Sequence, residues 1–146
     1  MYEKNPLKVS YEFLKLRQQF LIQQCEDIQK RSLAFKCLYD IILNMILNPG
    51  TVSENNIIEF AEKAGIEYSA DLRENIKDYF CNFRNTLFID FTNIHSLYFD
   101  VHTLVLEDDL TPEEKANVML CKQQATRVYK ETVDIFMNHV LVEKKS

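Results

Sequence analysis

The sequence predicts an all-α fold: a single-domain helical bundle of about six helices, with a helical hairpin, short helices and a long C-terminal helix. Three observations carry that reading. The 146 residues hold two Gly and three Pro, far below the average shares of about 7% and 5%, and hairpin-rich sheet proteins need many such residues at their turns. Apolar residues recur in a three-four alternation over most of the chain, the period of a helix buried along one face. Helix start and stop signals divide the chain into helix-sized pieces.

A chain of this length is one domain's worth and can bury roughly two thirds of the surface its unfolded form exposes. Residues 1–146 therefore read as one unit, with 1–8 and 143–146 as flexible tails. The segment 9–24 sets Val9, Phe13, Leu16 and Phe20 at helical spacing, which makes them the inner face of a first amphipathic helix. A single helix running on into the next apolar run would far exceed the 8–20 residues typical of globular helices. The polar patch QQCEDIQKRS therefore reads as a turn, with Asp27 as N-cap of the second helix.

That second helix is the most apolar window of the chain, LAFKCLYDIILNMIL at 33–47. Its polar residues Lys36, Asp40 and Asn44 fall four apart in one stripe, and a helix apolar elsewhere is expected to be surrounded by other helices. On that reading Leu43→Asp unfolds the domain and Asp40→Ala costs little. The run is too short and too charged for a membrane span. Pro49 and Gly50 end it.

Ser53 then caps a short helix over 54–64 whose inner face is Ile57, Ile58, Phe60, Ala61 and Ala64, and Gly65 stands at its C-terminal cap. Ser69, with Asp71 just inside, opens a helix lined by Leu72, Ile76, Phe80, Phe83 and Leu87. Residues 86–106 have the Phe, Ile, Thr and Val content of strands. Their period decides otherwise: Leu87, Phe91, Ile94, Tyr98, Val101 and Val105 form one helical stripe, with a boundary placed somewhere in 84–93. The last helix has the clearest start, with Thr111 as N-cap, Pro112 as first helical residue and Glu114 completing a capping box. It carries Val118, Cys121, Ala125, Val128, Thr132, Phe136 and Val140 along one face, and Lys144 and Lys145 lie near its negative end.

Charge narrows the function. The net charge of −5 is concentrated in residues 51–110, which hold twelve Asp/Glu against four Lys/Arg. Such a field opposes direct nucleic-acid binding and steers basic surfaces inward. Cys25, Cys37, Cys81 and Cys121 lack the short spacing of a metal or redox motif and read as buried reduced thiols, which with the absence of a signal-like N-terminus suggests an intracellular (cytoplasmic or nuclear) protein. His95 and His102 are seven apart, about 10.5 Å along a helix, too far to share a metal. No catalytic or phosphate-cradling motif occurs, so no catalytic residue, metal or cofactor is expected.

What remains is surplus apolar surface and acid. Phe88, Ile89, Leu97, Phe99, Leu104 and Leu106 lie off the main stripe of their helix, as do Tyr79 and Tyr129 of theirs, and Glu107, Asp108 and Asp109 precede the last helix. Phe88, Phe99, Leu104, Glu107, Asp108, Asp109 and Tyr129 are the candidate partner-binding residues. The function expected is a non-catalytic protein–protein interaction module or assembly subunit, binding an amphipathic helix, a basic surface or a second copy as a homodimer. A small-ligand or cofactor carrier, or a virus- or effector-type regulator of host proteins, is the alternative.

Overall fold

The computed structural model describes residues 8–140 and confirms an all-α protein. In order it has β1 (Lys8–Val9), α1 (Tyr11–Leu47), a 3-10 turn (Pro49–Thr51), α2 (Glu54–Ala64), α3 (Ala70–Glu74), α4 (Ile76–Thr103), β2 (Val105–Leu106) and α5 (Pro112–His139). The tails expected at 1–8 and 143–146, and Lys144 and Lys145, lie outside the described residues, except that Lys8 is not a tail: it pairs with Val105.

The expected turn at Asp27 is absent. α1 is one helix of 37 residues, about 55 Å long at 1.5 Å per residue. Nothing in QQCEDIQKRS breaks a helix, since it contains neither Gly nor Pro and is rich in good helix formers. Its length is supported by two successive sets of neighbours. Leu14, Leu21, Cys25, Ile28 and Phe35 pack in a first core with Leu87, Ile94 and Val101 of α4 and Cys121, Ala125, Val128 and Phe136 of α5. Ala34, Leu38 and Ile41 pack in a second core with Ile57, Phe60 and Ala61 of α2, Leu72 and Ile76. Phe80 and Phe83 line both cores, and Phe35 stacks on Phe80 with ring centroids 5.1 Å apart.

The face expected to be inner at the start of α1 is turned outward. Leu14, Gln18, Leu21 and Cys25 are buried, while Phe13, Leu16 and Phe20 are 38%, 64% and 46% exposed. Two apolar stripes compete along this segment, and the buried one is the stripe that continues in phase through Ile28 and Ser32. Nor is the 33–47 window surrounded: Tyr39, Leu43, Ile46 and Leu47 stay exposed on the side away from Ala34, Leu38 and Ile41.

Caps were legible and breaks less so. Ser53 donates its N–H to Asn56 Oδ1 at 2.9 Å, Gly65 takes the left-handed conformation at φ 70°, and the Ser69 hydroxyl accepts from Leu72 N–H at 3.2 Å. The Thr111–Glu114 box closes in both directions, at 3.0 and 3.1 Å. The helix opened by Ser69, however, breaks at Asn75, whose N–H and side-chain amide both bond the Asp71 carbonyl. α4 then runs unbroken through 84–93, where a boundary was expected, because its buried stripe passes without interruption from the second core at Ile76 to the first core at Leu87, Ile94 and Val101. Helix ends at Thr103, and the β-branched Val105 joins a parallel two-residue pairing with Lys8–Val9.

Direction follows from the cross-links. Gln18 Nε2 donates to Gln124 and Gln29 Nε2 to Thr132, both at 2.9 Å, so α5 runs parallel to α1. The pairs Arg31–Asp90 and His95–Tyr129 set α4 antiparallel to both. β1 and β2 thus clasp the starts of the two parallel helices, and Glu107 N–H adds a bond to the Val9 carbonyl at 3.0 Å.

Candidate interaction surface

This topology gathers several expected residues at one end of the bundle, where α1 and α5 begin and α4 ends. Phe99, in the last turns of α4, is 65% exposed. Glu107, Asp108 and Asp109 are exposed just beyond β2. Lys8 Nζ reaches Asp108 Oδ2 at 2.6 Å, and that hydrogen bond, then the lysine charge, hold the Asp108 carboxyl below its usual range.

Phe88, Leu104 and Tyr129 are not surface anchors. Phe88 is half-buried with its ring edge-on to Phe136 at 5.2 Å, and Leu104 packs on the first core. Tyr129 belongs to the seam between α4 and α5, stacked on Tyr98 at 4.1 Å and bonded to His95 Nδ1 at 2.5 Å. In the same seam the Thr126 hydroxyl donates to the Lys122 carbonyl at 2.9 Å. Its oxygen is then left to accept from Tyr98 at 3.3 Å and from His102 Nε2 at 3.1 Å. That assignment puts the His102 proton on Nε2. Burial, then the Lys122 charge, push the His102 pKa down, so the ring is neutral at pH 7. The two histidines thus have neighbours that order them within the seam, and the arrangement fastens α5 to α4.

The thiols divide. Cys25 and Cys121 are buried and Cys37 half-buried, with burial raising all three pKa values, whereas Cys81 is exposed, against the expectation of four buried thiols; all four are free. Among the described residues no group of three or more His, Cys, Asp or Glu side chains could hold a metal ion, and no helix is long and apolar enough to cross a membrane.

Sequence reasoning missed Phe13, Leu16 and Phe20. They form an outward ridge over the first turns of α1, at the same end as Phe99 and the acidic residues, and Arg17 lies over the Phe13 ring at 5.3 Å. A signal that distinguishes this stripe lies downstream: it continues into Gln24, Asp27 and Arg31, whereas the Leu14 stripe, despite Gln18, continues into Cys25 and Ile28. A separate concavity of about 600 Å³ lies between α1, the 3-10 turn, α2 and the end of α5, lined by Leu33, Cys37, Ile41 and Val52 with Lys36, Asp40, Glu59 and Lys63 at its edges.

No protein-family model, curated protein or solved structure matches the chain.

Proposed function

We propose that the protein is a non-catalytic helical interaction module or assembly subunit. The observation that supports this most is the exposed Phe13–Leu16–Phe20 ridge, because contiguous exposed apolar surface on a folded domain marks interaction sites. The neighbouring Glu107, Asp108 and Asp109 give the partner's chemistry: an amphipathic helix or surface that pairs an apolar strip with Lys or Arg. Phe99 is exposed at the same end of the bundle. Four free thiols support an intracellular setting for the encounter, and the acid in residues 51–110 disfavours nucleic acid as the direct partner.

The test compares what the immobilised wild-type chain and a Leu16→Lys variant retain from lysate, scored by quantitative mass spectrometry. A protein held by the wild type and lost from a variant with an unchanged melting curve supports the reading. Identical retention by the two proteins sinks it.

A second reading, a small-ligand carrier, is favoured by the 600 Å³ concavity between α1 and α2, which has the size of ligand pockets. Native mass spectrometry of the purified chain separates the two, since a carrier retains added mass and Leu16→Lys leaves that mass in place.

A further inference from the structure

We propose that the C-terminal half of α1 is a contact between two copies of this chain, which meet antiparallel about a two-fold axis near Leu43. In the first half of α1 the face bearing Leu21, Cys25, Ile28 and Ser32 lies within the bundle. Steps of seven residues carry that face from Ser32 to Tyr39 and Ile46, with Leu43 and Leu47 beside them. α5 covers it only as far as its end at His139, and α2 packs on the opposite side, against Ala34, Leu38 and Ile41. Ile46 and Leu47 are left 62% and 63% exposed, and Tyr39 and Leu43 more than a third. The result is an apolar helical ridge in line with α5, flanked at Tyr39 by the Phe80 ring at 6.3 Å and left open to solvent at Leu43, Ile46 and Leu47.

Charge identifies the occupant. From Ser32 to Leu47 the only ionised side chains are Lys36 and Asp40, which join each other at 3.1 Å and cancel. The chain as a whole carries −5, with its acid in residues 51–110, so copies approaching through those faces repel. The neutral ridge is where two copies meet without that penalty, whereas a basic partner is drawn to the acidic faces. An isologous pairing also needs one patch that complements itself, and antiparallel packing about Leu43 sets Tyr39 opposite Ile46 and Leu47 of the second copy. The four side chains offer on the order of 400 Å² of apolar surface, less than the ~800 Å² per partner of a standard interface. The dimer is therefore a weak one, populated at micromolar concentrations and above.

This inference does not rest on the Phe13–Leu16–Phe20 reading, and its test separates the two. Sedimentation and light scattering of the full chain under reducing conditions, from about 1 μM to about 1 mM, are expected to show the mean mass rising from 17.3 kDa towards twice that value. Ile46→Lys is expected to hold the monomer throughout with an unchanged circular dichroism melt. In a Cys81→Ser background, Leu43→Cys is expected to cross-link to itself under mild oxidation while Leu16→Cys does not. A wild type that stays monomeric over the whole range overturns the proposal and leaves the ridge to a foreign partner. Cross-linking through Leu16→Cys instead, a dimer indifferent to Ile46→Lys, or masses growing beyond the dimer overturns it equally.

Discussion

Arg31 Nη1 donates to Asp90 Oδ2 at 2.5 Å, joining the middle of α1 to α4 where the sequence suggested a turn. Both side chains are three-quarters covered, so the pair is more shielded than a surface bridge. Arg31→Ala and Asp90→Ala are each expected to cost about 1–2 kcal/mol in urea unfolding. A double-mutant cycle should return a coupling above 0.5 kcal/mol in magnitude; additivity of the two single changes would show that the bridge contributes nothing of its own.

Phe136 is fully buried, with Phe91 parallel to its ring at 3.7 Å between centroids and Phe88 edge-on. Phe136→Ala should cost about 3–5 kcal/mol. Leu43→Asp, by contrast, should cost at most about 1 kcal/mol for the monomer, because Leu43 is on the outward side of α1. That reverses the expectation drawn from the apolar run alone. Thermal melts at low micromolar concentration rank the two directly.

Ser32 is fully buried and its hydroxyl has no hydrogen-bond partner. Removing an unsatisfied hydroxyl recovers its desolvation cost, and Ala is the better helix former. Ser32→Ala should therefore raise the unfolding free energy, by about 1 kcal/mol, measured as a higher urea midpoint at constant slope. A lower midpoint would mean that the hydroxyl is satisfied in solution.

His102 has its pKa lowered in the folded chain, first by burial and then by Lys122. The unfolded state therefore takes up its proton first as pH falls, so stability decreases below about pH 6.5. Asp108 acts in a lower window: its carboxyl is depressed by Lys8, so its contribution is present at neutral pH and is lost only as pH falls through the carboxylate range. His102→Gln should flatten the stability profile between pH 7 and pH 5 and leave the more acidic limb unchanged.

The thiols give a chemical readout of the fold. In the native protein, iodoacetamide should modify Cys81 first and leave Cys25 and Cys121 unreacted until denaturant is added, because both are buried and their thiolates disfavoured. Mass spectrometry of a labelling time course reads the order.

How much of this was legible depended on whether the deciding signal was local. Ser53, Gly65, Ser69 and Thr111 act through bonds within one turn, and each was readable. Which of two stripes at the start of α1 faces inward was not legible locally, because Phe13, Leu16 and Phe20 are as apolar as Leu14 and Leu21, and only their continuations past residue 21 differ, where α4 and α5 cover one of them. Continuity through Asp27 was obscured for the same reason: a polar patch on the outer face of a long helix resembles a turn until the neighbours on its inner face are known. The break at Asn75 and the pairing of Lys8 with Val105 had no comparable signature. Among the candidate residues, Phe99 and the acidic residues before α5 are exposed, whereas Phe88, Leu104 and Tyr129 sit in packing that two other helices complete.

The parallel clasp of β1 on β2 also orders the steps by which the chain folds. Parallel neighbours cannot be joined by a short turn, and here the connection from Val9 to Val105 is nearly the whole domain. The hairpin of α1 and α2 closes over a few residues, while seating α5 beside α1 must wait for a loop about ten times longer, at an added entropic cost of about 2 kcal/mol. The second core is therefore expected to form early from local contacts, and the first core, with the clasp, to form late. Until α5 arrives, Leu21, Cys25 and Ile28 have only α4 to pack on, and α1 presents apolar side chains toward the place of α5 as well as along Phe13 and Phe20.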